Sequence, residues 1–263
     1  MTRRNLLSGV AASAFAGAAA QGAEGQAANV YLELKYYQLH NSSEDQSAHL
    51  TGFLRDSYAP AVAKADGKLI GAFGNHIGME APYVIALTQY DTLGAFQTTL
   101  EKLKSDSDYQ HALSALTSRQ GYPYQREESS LLRTFDGFPQ PLVSSGASEH
   151  HSPRVFEMRR YESPTEVTLA RKLKMFNGGE IAIFQKLGMR PIFFGETIVG
   201  PRMPNLVYML SFDNVAAREE LWRKFGSDPD WKKLSAPPEF HDSEIVSNIS
   251  NAILQPLKFS PIQ

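Results

Sequence analysis

The chain has 263 residues, 42% hydrophobic and 21% charged, an ordinary globular composition with room for one large or two small domains. Its net charge of -2 argues against a nucleic-acid surface, which needs a basic stripe. The absence of cysteine excludes disulfides, thiolate chemistry and cysteine-ligated metals.

Residues 1–28 read as a removable export signal rather than as part of the fold. Arg3 and Arg4 precede a weakly apolar run from Leu6 to Ala20, and small residues follow, so cleavage is expected after Ala20, Ala23 or Ala28. The run is too short and too rich in alanine to span a membrane. The stretch from Thr2 to Leu7 resembles the twin-arginine export motif, with leucine where phenylalanine is common. The general secretory route is the alternative. Either way the expectation is a periplasmic or secreted protein without stable membrane insertion.

The remainder is written twice. Asp91, Leu100, Leu103, Asp106 and Tyr109 recur 122 positions later as Asp213, Trp222, Phe225, Asp228 and Trp231. VIALTQYD, starting at Val84, lies on LVYMLSFD, starting at Leu206. Near the start of each copy the offset is 124, with Glu33 on Glu157 and Tyr37 on Tyr161. The matched segments keep their order, so a tandem duplication is inferred. The first copy is assigned to residues 29–138, a Pro/Ser/Gly-rich linker to 139–153 and the second copy to 154–263.

Each copy reads strand, helix, strand, strand, helix, strand. In the second, Val155 to Tyr161 alternates as a strand does, and Leu169, Leu173 and Phe176 recur at helical spacing. Gly178 and Gly179 then interrupt or kink that helix, and Ile181, Phe184 and Leu187 complete its apolar face. A β-hairpin follows from Arg190 to Asp213, then a helix through Leu221, Trp222 and Phe225, then a last strand near Ala252 to Phe259. The order implies an α+β fold with a ferredoxin-like βαββαβ sandwich per copy. Each sheet would leave one face bare, so the two copies should cover each other as a pseudo-dimeric α/β barrel.

SDSDY at Ser105 and SDPDW at Ser227 place acids two apart beside an aromatic residue. Glycoside hydrolysis would need two carboxyls on opposite sides of a substrate, not two neighbours on one turn. Asp106 and Asp228 are instead read as helix N-caps, with Pro229 at the first helical position.

Candidate ligand-contacting residues come from the first strand of each copy. Glu33, Lys35 and Tyr37 share one face, as do Glu157, Arg159 and Tyr161. Phe156 and Met158 take the other face and suit packing on helices. On this reading the Glu–base–Tyr sets point into the barrel. There they either form a polar network that fixes how the copies dock or line a site for a small organic ligand. His76 is the candidate general base, because its counterpart 122 positions on is Ile198 and the fold does not require histidine there. A solvent-facing loop position is its other reading. Zinc-protease, P-loop, nucleophile-elbow and Rossmann patterns are absent, so no metal site and no cofactor is assigned, with haem on a lone histidine left open.

The second copy resembles the NIPSNAP family over Val155 to Leu234, in VFEMRRY, KLGMRPIFFGETIVGP and NLVYMLSFDNVAAREELWRKFGSDPDWKK. The first, from Tyr31 to Leu113, resembles it more faintly. It has NSSEDQSA for SPTEVTLA, and Asp66-Gly67-Lys68 for Gly188-Met189-Arg190. The resemblance implies the dimeric α/β-barrel superfamily, which holds cofactor-free monooxygenases, haem-handling enzymes and binding proteins. It assigns no catalytic residue. Two functions compete: a binding protein for a small ligand, a protein partner or a second copy of itself, and a cofactor-independent monooxygenase or isomerase acting on a small hydrophobic molecule inside the barrel.

Overall fold

The computed structural model describes residues 27–41, 44–119, 121–143 and 154–263. The expected export signal falls almost wholly outside these residues, as does most of the expected linker.

Strands β1 (Tyr31–Gln38), β2 (Gly67–Ile77), β3 (Tyr83–Tyr90) and β4 (Arg126–Thr134) belong to the first half. The second half supplies β5 (Val155–Glu162), β6 (Arg190–Val199), β7 (Asn205–Phe212) and β8 (Asn248–Pro256). They close one barrel in the order β1-β3-β2-β8-β5-β7-β6-β4. Each half thus contributes the ferredoxin-like order β4-β1-β3-β2 or β8-β5-β7-β6, and the α+β barrel implied by the sequence is the observed architecture. The halves join edge to edge, through β2 with β8 and β4 with β6, and all the pairings are antiparallel. Closure removes every free sheet edge.

The two seams repeat each other. Asn75 pairs with Leu254 and Ile77 with Ile253 in one; Thr197 pairs with Leu132 and Val199 with Leu131 in the other, and these residues correspond at 122 positions. Both β2 and β6 carry a bulge, between Leu69 and Gly71 and between Pro191 and Phe193. In β6 the residue left out of the ladder is Ile192, next to Pro191, which keeps its register with Leu210. At the β4–β6 seam Gly195 is required by space, since a Cβ there would lie 2.9 Å from Leu132 Cβ.

Helices cover the outside. In the first half α1 (Gln46–Phe53) and α2 (Ala59–Lys64) run through a π-helical turn at Leu54–Tyr58, and α3 (Leu93–Ser105) is followed by α4 (Ser107–Thr117). In the second, α5 (Glu166–Met175) and α6 (Ile181–Lys186) flank a π turn at Phe176–Glu180, and α7 (Val215–Ser227) leads to α8 (Pro229–Ser235). A short α9 (Asp242–Ile245) precedes β8. The π turn sits at the matching position in both halves, yet only the second has glycines in it, so glycine is not what makes the turn. Asp106 accepts the Tyr109 N–H at 2.9 Å to cap α4, and Asp228 accepts those of Asp230 (2.9 Å) and Trp231 (3.3 Å) to cap α8.

β7 is buried along its whole length, which explains its unbroken apolar run NLVYMLSF: one face meets helices and the other the barrel core. The last strand starts at Asn248 and stops at Pro256, several residues earlier than its apolar pattern suggested. Beyond it the chain turns back onto β2, where Ala72 N–H donates to Ser260 Oγ at 3.0 Å and Ile262 N–H to Ile70 O at 3.2 Å. Of the apolar residues after Pro256, Ile262 joins the interior cluster, whereas Leu257 and Phe259 pack against the first half's outer cluster.

Candidate functional site

The facing of β1 and β5 is the reverse of the sequence expectation. Leu32, Leu34 and Phe156 belong to the cluster inside the barrel, with Met158 packed against it. Glu33, Lys35, Tyr37, Glu157, Arg159 and Tyr161 lie on the outer face, under helices. The physical reason is partner supply. The interior packs Leu, Phe and Ile from both halves and offers little to a buried carboxylate, whereas the outer side carries donors, from α7 for Glu157 and from neighbouring strands for Glu33.

In the second half, Glu157 is fully buried and accepts from Arg159 Nη1 (2.8 Å), Arg218 Nε (2.9 Å), Trp222 Nε1 (2.6 Å) and Asn251 Nδ2 (3.2 Å). Burial alone would raise the pKa of this carboxyl. The Arg218 hydrogen bond, the Arg159 charge and the Trp222 hydrogen bond outweigh it and hold the group below its ordinary value. Arg159 stacks over Trp222, its guanidinium carbon 4.6 Å from the ring centre, and its Nε donates to Tyr161 Oη at 3.3 Å. Nearby, Lys172 Nζ lies 3.3 Å from Glu180 Oε2, 3.4 Å from Asp242 Oδ1 and within 5.6 Å of the Tyr161, Phe176 and Trp231 ring centres. In the first half, Glu33 accepts from Tyr90 Oη (2.9 Å) and Ser129 Oγ (3.1 Å), while Lys35 turns to Glu127 at 2.9 Å. The sets around Glu33 and Glu157 are networks whose members bond to one another, whereas Glu180 Oε2 is buried with the Lys172 charge beside it and without a hydrogen bond.

The interior has two unlike ends. At one, Leu32, Phe73, Leu132, Phe156, Phe193 and Leu254 are fully buried and pack together, with Phe73 and Phe156 ring centres 5.3 Å apart. At the other, where β1 and β5 finish, the barrel opens into a cavity of about 770 Å³, within the size range of small-molecule sites. Its floor is apolar: Leu34, Ile85, Met158 and Val207. Tyr36 and Tyr83 form one wall with ring centres 4.6 Å apart. Arg160, Ser250, Arg202, Glu80 and Glu128 add polar groups, and exposed Ile77 and Met79 stand at the rim.

Each polar group has a distinct state. Arg126 bridges Glu80 (2.8 Å) and Glu128 (3.2 Å), so these carboxylates are paired. Burial pushes the Tyr83 phenol up to about 12 and, with the neighbouring Tyr83, raises Tyr36 as well, so both keep their protons. Tyr36 Oη donates to Gln38 Oε1 at 3.0 Å; no hydrogen bond from Tyr83 Oη is found among the described residues. Gly78 makes room for that hydroxyl, since a Cβ there would sit 2.9 Å from it. Arg160 Nε is buried without an acceptor, a state that costs on the order of 1–3 kcal/mol. Burial first, then Arg202, holds the Arg160 guanidinium below its ordinary pKa. His76 is exposed and does not line the cavity, although its neighbours Ile77 and Gly78 do.

Tyr36 and Arg160, one residue away from the candidates chosen from sequence, are thus the ones at the open end. The signal that could have found them is the pairing of Phe156 with Met158: the more apolar alternate face belongs to the side with fewer donors. Among the described residues no group of three His, Asp or Glu could hold a metal ion, and no helix is long and apolar enough to cross a membrane.

The NIPSNAP family model matches residues 156–261. No curated protein matches the chain. Among solved structures, a candidate monooxygenase of Lactobacillus acidophilus is similar at 11% identity and a TM-score of 0.54, covering 87% of this chain and 94% of that one. An anthrone oxidase-like protein is similar at 12% identity and a TM-score of 0.52, covering 89% and 92%. A NIPSNAP family protein of Agrobacterium tumefaciens aligns at 26% identity and a TM-score of 0.39 over 46% of this chain and 100% of its own. The first two show the fold.

Proposed function

We propose that this chain is a small-ligand-binding protein of NIPSNAP type, built from two tandem copies, and that its site is the open mouth of the barrel. The observation that carries the reading is the cavity of about 770 Å³, closed below by packed side chains and open above. A barrel closed for stability alone would be filled at both ends. The polar networks around Glu33 and Glu157 serve the fold, since their hydrogen bonds are spent internally. Native mass spectrometry of the mature protein, purified from its own host, tests this. A bound small molecule that is lost in Ser250→Trp, which fills the mouth, is expected. Retention of that molecule by the variant contradicts the reading.

The competing reading is an oxygenase- or isomerase-like enzyme using the same cavity, consistent with the names borne by proteins of similar fold. One observation favours it: Tyr83 lines the cavity, and its hydroxyl has no hydrogen-bond partner among the described residues. His76 has no place in it, being exposed and outside the lining. Turnover of the bound molecule with oxygen consumption, lost in Tyr83→Phe, would decide for the enzyme.

The same proposal takes residues 1–28 as an export signal of the twin-arginine kind, delivering the chain to the periplasm or beyond. Lysine at both Arg3 and Arg4 is expected to leave the precursor in the cytoplasm; unchanged export would overturn that route.

A further inference from the structure

The mouth is lined by residues that correspond between the halves but differ in kind. Tyr36 of the first half answers to Arg160 of the second, Glu80 to Arg202, and Glu128 to Ser250. The first half's acids are both already engaged, because Arg126 lies between Glu80 and Glu128 and bonds to each. The second half's cations are not. Neither Arg160 nor Arg202 makes an ion pair or a side-chain hydrogen bond among the described residues, and Arg160 Nε is a buried donor with no acceptor. The carboxylates within electrostatic reach of Arg160 do not pair with it: Glu128 goes to Arg126, and Glu162 accepts from Asn248 Nδ2 at 3.0 Å. Opposite stand the Tyr83 hydroxyl and an apolar floor of Leu34, Ile85, Met158 and Val207.

We infer that the ligand of this mouth is an organic anion, a carboxylate or sulfonate on an apolar, ring-sized body, with its charged group on Arg160 and Arg202 and its body against the floor and the Tyr36–Tyr83 wall. The inference rests on the mouth being the binding site, as proposed above. An acidic group supplies the acceptor that the buried guanidinium lacks, and a guanidinium holds a planar carboxylate through paired N–H donors. The repulsion between Arg160 and Arg202 falls when an anion sits beside them. A cationic ligand would meet two arginines with no carboxylate partner among the described residues, and carboxylates already bonded to Arg126 or, for Glu219, to Arg218.

Two probes of one shape separate the charge from the cavity. 8-Anilinonaphthalene-1-sulfonate is an anion, and N-phenyl-1-naphthylamine is its uncharged counterpart; both fluoresce on entering an apolar site. Titrated into the full mature chain, both should bind, and both should be displaced by Ser250→Trp. Arg160→Met should weaken the sulfonate about tenfold, the factor expected for one charge-assisted hydrogen bond, and leave the amine within about twofold. Arg202→Met should weaken the sulfonate less, because Arg202 is exposed. If Arg160→Met fails to fold, Arg160→Lys with Arg202→Met replaces it, and added salt should weaken the sulfonate alone. Equal affinities of the two variants and wild type for the sulfonate, with Ser250→Trp still blocking both probes, would overturn the anion and leave the mouth standing. Sulfonate binding unchanged in Ser250→Trp, or no binding of either probe, would overturn both.

Discussion

The two halves place a glutamate at the same position of their first strand and satisfy it in different ways. Glu33 is held by Tyr90 and Ser129, both on neighbouring strands. Glu157 is held by Arg159 and Asn251 from strands but also by Arg218 and Trp222 from α7. The first half has Phe96 and Leu100 where the second has Arg218 and Trp222, and Tyr90 where the second has Phe212. The same exchange recurs deeper: Leu50 and Tyr58 stand where the second half has Lys172 and Glu180. The glutamate itself is thus shared, and what holds it differs on helices (Phe96 and Leu100 against Arg218 and Trp222) and on strands (Tyr90 against Phe212, Ser129 against Asn251). Helix side chains can be exchanged as a group when a neighbouring residue supplies the missing hydrogen bond, whereas a change of facing in a closed barrel would move every side chain of a strand.

The comparison breaks most visibly at the glutamates. Glu157→Gln leaves two arginines facing a neutral amide and should cost about 3–5 kcal/mol in urea unfolding, as for other broken buried ion pairs. Glu33→Gln removes one of its two hydroxyl hydrogen bonds and the Lys35 charge contact at 3.8 Å, while Lys35 keeps Glu127, and should cost about 1–2 kcal/mol. Equal losses would mean that the helix donors add nothing.

Next is the buried pair of the second half. Lys172→Met strands Glu180 among aromatic rings and should destabilise by about 3 kcal/mol, while Lys172→Met with Glu180→Met should recover most of that loss. A double variant as unstable as the single one would show that the site needs its charges, and that the apolar solution of the first half does not transfer.

The acid limb of stability is a third test. The folded-state pKa of Glu157 lies below its ordinary value of 4.5, so its contribution is present above that value and lost as pH falls through the folded one. Glu180 works the other way: burial raises its carboxyl, so protonation relieves the folded state. Wild type should lose stability below about pH 4.5 more steeply than Glu157→Gln, measured by urea unfolding across pH. Parallel curves would contradict the assignment. The smallest effect is expected at the caps. Asp228→Ala should lower Tm by a few degrees and Asp106→Ala by less, because Asp228 also holds Lys186 at 2.7 Å.

The fold was legible in the sequence because its strands are written as periodicity: the alternation of Val155 to Tyr161 and the unbroken apolar run of β7 both survive in the barrel. The facing of β1 and β5 was not legible. Alternation separates Glu157 and Arg159 from Phe156 and Met158 but does not say which set meets helices. That depends on Arg218 and Trp222, some sixty residues away in the chain and adjacent only after folding. The mouth was missed for the same reason. Tyr36 and Arg160 look like ordinary polar strand ends, and only the closure of β2 on β8 and β4 on β6 brings them around one cavity. His76 stood out as a difference between halves, and a difference marks freedom from the fold's demands without marking a site.

The central claim, that the open end of the barrel is the ligand site, is tested most directly by the methyl resonances of isotope-labelled methionines during titration with 8-anilinonaphthalene-1-sulfonate. Met158 and Met79 line the mouth, whereas Met175 and Met189 are buried beneath the helices. Shifts at Met158 and Met79 with Met175 and Met189 unmoved are the expected result. Shifts at Met175 or Met189 with Met158 unmoved would place the ligand outside the barrel and contradict the account.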